Sequence, residues 1–257
     1  MPVRPKKRLG QHFLTDPNVI GKIVAAVGAP EGAPVVEIGP GEGALTAPLL
    51  ARYPGLTAVE VDEEAVAHLR ARFPSLHVRH ADVLALDWAA LAAERGDPLW
   101  VVGNLPYYIT SPILFGLLDA REHLRRAVVM MQREVAERIV AAPGSKAYGI
   151  LSVQLQLFAR PELLFRVSRH VFRPKPDVES AVLALDFDGP TPTGVDSDRL
   201  RRVVRTAFGQ RRKMLRNSLA ALDAPHPLPD AYATRRPESL DPAAFVALTR
   251  ALYDGDG

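Results

Sequence analysis

Val35-Val36-Glu37-Ile38-Gly39-Pro40-Gly41-Glu42-Gly43 is the stretch on which the fold turns. Four residues of buried-strand character run into a turn with three glycines, and Ala44 to Ala51 then reads as the start of a helix. Strand, glycine-rich turn and helix form a nucleotide-binding corner, because glycine adopts positive φ and lets the backbone approach a ligand. Working outward, a second strand over Thr57-Ala58-Val59-Glu60-Val61 ends in acids at Glu60 and Asp62. Glu60 lies about twenty residues beyond Gly39, the spacing of an acid that accepts from ribose hydroxyls. Gly39-x-Gly41-x-x-Ala44 also satisfies the dinucleotide fingerprint, so a nicotinamide dehydrogenase stays open at this point. Glu42 beside the helix N-terminus argues against a pyrophosphate there.

Two further stations sharpen the corner. His77-Val78-Arg79-His80 reads as a third strand with Asp82 just past it, able to accept from the exocyclic amine of a cofactor adenine or simply to cap a turn. Leu99-Trp100-Val101-Val102 reads as a fourth, buried strand, with Gly103 as the hinge out of it, and it leads into Asn104-Leu105-Pro106-Tyr107. Such a position past a strand end is where open α/β sheets bind ligands. The Asn104 side-chain oxygen and a backbone carbonyl in a turn held by Pro106 can accept the two hydrogens of a planar amine, and Tyr107 can stack on its ring. Taken alone, the tetrapeptide equally fits a strand-ending turn with a core tyrosine. Acids after the second and third strands, then this tetrapeptide, fit S-adenosylmethionine better than NAD.

Bulk properties narrow the class. The chain has 257 residues, 47% hydrophobic and 24% charged, which suits a globular domain with a small appendage. Lysine and arginine number 32 against 29 acids, so any partner of opposite charge must be met by local patches. No apolar run nears the ~18 residues of a membrane span. The basic start (Lys6, Lys7, Arg8) lacks an apolar signal core, and the expected location is cytoplasmic. The absence of cysteine excludes disulfides and thiolate metal sites, and no metal is expected.

Before the corner, Asp16 or Thr15 can cap a helix with Pro17 in its first turn and Val19, Ile20, Ile23, Val24 and Val27 at helical spacing. After the tetrapeptide, helices are expected over 112–118, 132–140 and 149–158, and strands over 127–131, 163–167 and 181–187. Phe172 to Pro176 forms a stiff turn, and a hairpin closes a mixed, mostly parallel sheet. Residues 188–197 read as a linker to a small helical domain. There Leu200, Val203, Val204, Ala207 and Phe208 form an apolar stripe, and Arg211, Arg212, Lys213 and Arg216 follow as a cluster suited to RNA phosphates. The fold class is therefore α/β: a Rossmann-like sheet with a corner suited to S-adenosylmethionine and helices on both faces over 1–188, with a basic N-terminal arm, and a small helical domain over 189–257 whose basic cluster suits RNA.

The motifs resemble the rRNA adenine N6-dimethyltransferase family, of the bacterial KsgA type. The stretches that carry the resemblance run in order: Arg8-Leu9-Gly10-Gln11-His12-Phe13-Leu14, Glu37-Ile38-Gly39-Pro40-Gly41, Glu60-Val61-Asp62, Asp82, Asn104-Leu105-Pro106-Tyr107 and Gln132-Arg133-Glu134-Val135-Ala136-Glu137-Arg138. Tyr148-Gly149 with Leu151-Ser152-Val153, Phe172-Arg173-Pro174-Lys175-Pro176 with Val178-Glu179-Ser180-Ala181-Val182, and Arg211 to Leu219 complete the series. The resemblance implies S-adenosylmethionine as cofactor, held by His12, Leu14, Gly39, Gly41, Glu60, Asp82 and Asn104; position 12 is often asparagine in the family. It implies catalysis by Asn104, Leu105, Pro106 and Tyr107 with Phe172 as a second stacking surface, and RNA contacts from Arg133, Arg138, Lys175, Arg211, Arg212 and Lys213. The implied reaction is dimethylation of N6 on two adjacent adenines in a 3'-end hairpin of 16S rRNA, by a monomer acting on the immature small subunit. A large-subunit (23S) rRNA methyltransferase of the resistance type shares the corner and the aromatic motif. A ribosome-assembly factor acting mainly by binding is the alternative from another class.

Overall fold

The computed structural model describes residues 6, 10–96, 98–189, 192 and 194–255. Lys7, Arg8 and Leu9 of the expected arm, and Pro190, Thr191 and Thr193 of the expected linker, lie outside the described residues. A two-residue strand β1 (Phe13–Leu14) precedes helix α1 (Pro17–Val27). Asp16 caps α1 by accepting from the amides of Asn18 and Val19, and Gly28 closes it at φ 65°. Then come β2 (Val35–Ile38), α2 (Thr46–Arg52), β3 (Thr57–Glu60), α3 (Glu63–Arg72), β4 (His77–His80), α4 (Trp88–Arg95) and β5 (Leu99–Asn104). These are followed by α5 (Thr110–Asp119), β6 (Leu124–Gln132), α6 (Arg133–Ile139), α7 (Ile150–Phe158), β7 (Arg160–Val167), β8 (Phe172–Arg173) and β9 (Ser180–Asp186). Helices α8 (Ser197–Gly209), α9 (Leu215–Ser218), α10 (Asp230–Ala233) and α11 (Pro242–Tyr253) complete the chain.

Seven strands make one mixed sheet in the order β4-β3-β2-β5-β6-β9-β7. Neighbours from β4 through β6 are parallel, and β9 runs antiparallel to β6. The chain winds outward from β2 to β4 and then returns to the other side of β2 with β5, so β2 and β5 flank a topological switch point, where such sheets open a crevice at the strands' carboxyl ends. The core explains the apolar runs: Val35, Val102 and Val128 are buried together with Ile23 and Val27 of α1 and Leu49 of α2. Burying one such side chain is worth roughly 1.5–3 kcal/mol.

Gly103 is not a hinge after the strand. It lies inside β5, paired with Ile38, and a Cβ there would sit 2.6 Å from the Ile38 carbonyl oxygen. Only glycine lets these two backbones come so close. A second small sheet was not legible either: β1 pairs antiparallel with β8, Phe13 opposite Arg173 and Leu14 opposite Phe172.

Two compact units divide the chain, Met1–Ala136 with Glu162–Asp188, and Glu137–Pro161 with Gly189–Gly257. The boundary read from sequence ran at 188/189 and kept α7 with the sheet, whereas α7 packs with α8 and α11. Nearly every side chain of α7 is buried, so it needs cover on several faces. In this second unit the Phe208 ring lies 6.1 Å from Tyr148 and 5.8 Å from Phe245. Among the described residues no helix is long and apolar enough to cross a membrane.

Candidate active site

A cavity of about 360 Å³ opens at the carboxyl ends of β2, β3, β4 and β5, a size suited to a nucleoside-scale ligand. Its wall is built station by station. After β2 the chain turns through Gly39 at φ 64° and Gly41 at φ 56°, conformations that favour glycine. The space a Cβ on Gly41 would need is taken by the Phe13 ring, 2.7 Å away at Cε1. At the end of β3, Glu60 is buried and its carboxylate is held by backbone: Gly41 N–H donates to Oε2 at 3.1 Å, and the amides of Val61 and Asp62 donate to Oε1 at 2.9 Å each. Burial raises the Glu60 carboxyl above its usual range, against these three bonds, which favour the charged form. Behind the turn, fully buried Glu37 accepts from the Thr46 hydroxyl at 2.6 Å, and burial pushes its carboxyl up to about 8.

Beyond β4, Asp82 caps a short turn by accepting from the Leu84 amide at 2.9 Å, and it also lines the cavity. The acid thus caps a turn and stands on the cavity wall at once. The exposed apolar side chains Val61 and Leu84 line the same cavity. An apolar surface with a carboxylate at hand fits a purine carrying an amine, and a buried carboxylate held by amides fits a pair of ribose hydroxyls. The residues present therefore suit S-adenosylmethionine.

At the end of β5, Asn104 Nδ2 donates to the His12 carbonyl at 2.8 Å. That bond settles the amide orientation and leaves Oδ1 as the acceptor. The Leu105 amide donates to the Met130 carbonyl at 2.9 Å, and the Thr110 hydroxyl donates to the Pro106 carbonyl at 3.0 Å, so the tetrapeptide is fixed from both ends. Tyr107 is half-buried; its hydroxyl pairs with the buried Ser180 hydroxyl at 2.6 Å, and burial raises its pKa. The His12 imidazole stacks on the Tyr107 ring at 5.5 Å and 27°, and its Nδ1 lies 2.8 Å from the Pro174 carbonyl.

Most of the expected residues meet here: His12, Gly39, Gly41, Glu60, Asp82 and Asn104 through Tyr107 all line the cavity. Leu14 and Phe172 do not. They are 4% and 5% exposed, face each other across the β1–β8 pair and pack into the core. Phe172 as found here is a packing residue, since a ring so covered offers no open face to a base. Of the expected RNA contacts, Arg133, Lys175, Arg212 and Lys213 are exposed and Arg138 is half-buried. Arg211 is partly committed already, Nη2 donating to the Ser145 carbonyl at 3.1 Å. Sequence reasoning missed Ser180, Tyr108 and the bonds of Asp62. Tyr108 lines the cavity yet is 58% exposed, and nothing in its sequence neighbourhood marks it apart from Tyr107.

Comparison with known proteins agrees with this geometry. The family model described as ribosomal RNA adenine dimethylase matches residues 3–231. A ribosomal RNA small subunit methyltransferase A from Salinibacter ruber is 54% identical over 255 residues, covering 98% of this chain and 86% of that protein. One of the same name from Chlorobium chlorochromatii is 50% identical, covering 84% and 82%. Among solved structures, a dimethyladenosine transferase from Plasmodium falciparum shares the fold at TM-score 0.77, with 24% identity, covering 93% of this chain and 97% of that one. The 23S rRNA methyltransferase ErmE superposes at TM-score 0.70 with 26% identity, covering 93% and 99%.

Proposed function

The chain belongs to the ribosomal RNA adenine dimethylase family, and on that premise we propose that it is an S-adenosylmethionine-dependent rRNA (adenine-N6,N6)-dimethyltransferase acting on small-subunit RNA. The observation that carries the reading is the fixed amide of Asn104, turned by the His12 carbonyl so that Oδ1 accepts, on the wall of a cavity that also holds Glu60 and Asp82. The small-subunit substrate is favoured over the large-subunit one by relatives about half identical over most of their length, against 26% for the 23S enzyme.

In this reading Glu60 accepts from ribose hydroxyls and Asp82 from the cofactor's adenine amine, with Gly39, Gly41 and His12 on the same wall. When bound, the cofactor supplies an electrophilic methyl group on a sulfonium. The chain's own residues align the acceptor: in the first transfer Asn104 Oδ1 and the Leu105 carbonyl accept the two N6 hydrogens, in the second one of them accepts the single hydrogen that remains, and in both the lone pair is left aimed at the methyl, an alignment from which most of the rate gain comes. As N6 becomes positive, the same two oxygens gain strength as charge-assisted acceptors. The proton leaves to water, and no charged general base is assigned. Tyr107 offers a stacking face, worth roughly 1–3 kcal/mol against the few kcal/mol needed to extrude a base. Arg133, Arg138, Lys175, Arg212 and Lys213 are the proposed phosphate contacts, while Arg211 already donates to the Ser145 carbonyl. The proposal extends to a monomer acting on an immature small subunit, which sedimentation with particles of successive assembly stages tests.

The primary test uses purified protein, labelled S-adenosylmethionine and under-methylated small subunits, with nucleoside mass spectrometry of the rRNA. Dimethyladenosine is expected, with the rate falling roughly 10- to 150-fold in Asn104→Ala, the equivalent of about 1.5–3 kcal/mol for a charge-assisted bond. Transfer to large-subunit RNA alone, or none to either, refutes the proposal.

A further inference from the structure

The cavity has one wall that does not come from the sheet. Gly10, Gln11, His12 and Phe13 form it, and besides the pairing of Phe13 with Arg173 and the His12–Pro174 contact this arm is fastened at two places on the cavity's own stations. On the side of Glu60 the fastening is Asp62, only 4% exposed. Lys6 Nζ donates to its Oδ1 at 2.5 Å and lies 3.1 Å from Glu64 Oε2. Gln11 Nε2 reaches its Oδ2 at 3.5 Å, while Gln11 Oε1 accepts from the Lys6 amide at 2.9 Å. Both oxygens of one buried carboxylate therefore grip the arm. On the side of the target amine, the His12 carbonyl takes the Asn104 amide, the His12 ring covers Tyr107, and Gly10 leaves room for Tyr108, whose Cδ1 would lie 3.1 Å from a Cβ there.

We propose that Asp62, through Lys6 and Gln11, is a positioning residue for Asn104: the grip beside the ribose acid sets where the His12 carbonyl stands, and that carbonyl sets the amide that receives the target amine. The proposal rests on the role given to Asn104 above. Position 12 follows position 11 directly, so a restraint on Gln11 reaches the His12 carbonyl across one planar peptide unit and the φ and ψ of His12 alone. The partnership is asymmetric in cost. Lys6 sits at the surface of the arm and can be altered without opening the core, whereas Asp62 without Lys6 is a buried charge short of its main partner. Burial alone would raise the Asp62 carboxyl, yet the bonds from Lys6, the Glu64 amide and Gln11 hold it below its usual range. The Asp62 amide also donates to Glu60 Oε1, so the turn that grips the arm is the one that shapes the ribose acid.

A merely structural fastening would look similar in a stability assay, so the test reads position. Lys6→Met keeps the stem and removes the ammonium, and Asp62→Asn keeps an oxygen to cap α3 while removing the charge. Single-turnover methyl transfer is measured with cofactor and RNA saturating. About a tenfold loss is expected in each variant, since small misplacements of reacting groups cost rates of this order or more, with recovery in Lys6→Arg. Placed in an Asn104→Ala background, Lys6→Met is expected to cause no further loss. A wild-type rate in Lys6→Met, a multiplied loss in the Asn104→Ala background, or a change confined to the affinity for S-adenosylhomocysteine overturns the proposal. Amide hydrogen exchange across residues 10–14 reads the same restraint without activity: faster exchange in Lys6→Met is required, and unchanged exchange overturns the proposal. Absence of methyl transfer by the wild-type protein would instead sink the functional reading, with the exchange result still standing on its own.

Discussion

Replacing Tyr107 separates what its hydroxyl does from what its ring does. The hydroxyl lies 2.6 Å from Ser180 Oγ, and Ser180 is fully buried on β9. Tyr107→Phe removes one partner and leaves a buried hydroxyl unpaired, at a cost of about 1–3 kcal/mol. Ser180→Ala leaves the half-buried Tyr107 hydroxyl, which can turn to water, so its cost is smaller, about 0.5–1.5 kcal/mol. Removing both takes away donor and acceptor together, and the double variant returns to within about 1 kcal/mol of wild type. The double-mutant cycle then yields a coupling of roughly 1–2 kcal/mol, read by urea unfolding. On activity the order reverses. Tyr107→Phe keeps the stacking face and loses only some ring orientation, a few-fold in kcat/KM at most, whereas Tyr107→Ala loses about 1–3 kcal/mol of stacking, or roughly 5- to 150-fold. The assay is methyl transfer to under-methylated small subunits under subsaturating RNA. A Phe variant as impaired as the Ala variant would refute the stacking role and move the function to the hydroxyl. Zero coupling in the cycle would mean that the Tyr107–Ser180 bond contributes nothing.

Three further outcomes are expected. Glu37 has its carboxyl raised by burial from the ordinary 4.5 to about 8, so the folded chain keeps a proton that the unfolded chain releases; stability falls as pH rises between those values, by an upper limit of roughly 5 kcal/mol, and urea unfolding of Glu37→Gln at pH 5 and pH 8.5 should show that part of the slope gone. Gly41→Ala combines φ 56° with a Cβ 2.7 Å from Phe13, so it should lose about 1–2 kcal/mol of stability from the backbone alone and bind S-adenosylhomocysteine more weakly by calorimetry as Phe13 is displaced; unchanged binding would argue against this turn as part of the cofactor wall. Arg212→Ala should lower RNA affinity and reduce the salt slope by about 1 without loss of stability, whereas Arg211→Ala should also lose roughly 0.5–1.5 kcal/mol of stability with its bond to the Ser145 carbonyl, both read from salt-dependent binding and thermal unfolding.

The parallel sheet and its site were legible to different depths. The strand at Val35–Ile38, the glycine turn and the acids at Glu60 and Asp82 could be read because each signal is local: an apolar run, a glycine where φ is positive, a carboxylate just past a strand end. The cap at Asp16 was legible for the same reason, since its partners Asn18 and Val19 lie within three residues. The burial of Leu14 and Phe172 was not legible because two-residue strands carry no periodicity, and only their pairing across the chain buries both. Gly103 was read as a hinge because a glycine after an apolar run looks like a terminator; its approach to the Ile38 carbonyl is a fact about a different strand. Helix α7 looked like part of the sheet domain, since an apolar helix does not reveal which neighbour will cover it.

By itself, then, the sequence determined the order of the parallel strands, the stations that line the cavity and the family to which the motifs point. The tertiary structure decided which of those residues meet. It put Leu14 and Phe172 into the core, turned the Asn104 amide with a carbonyl 92 positions away, and closed the arm with a carboxylate 56 positions from Lys6. The physical reason is range. Backbone propensity, capping and glycine conformations act within a few residues, and their record is local; burial and hydrogen bonding between distant segments exist only once the chain has brought those segments together.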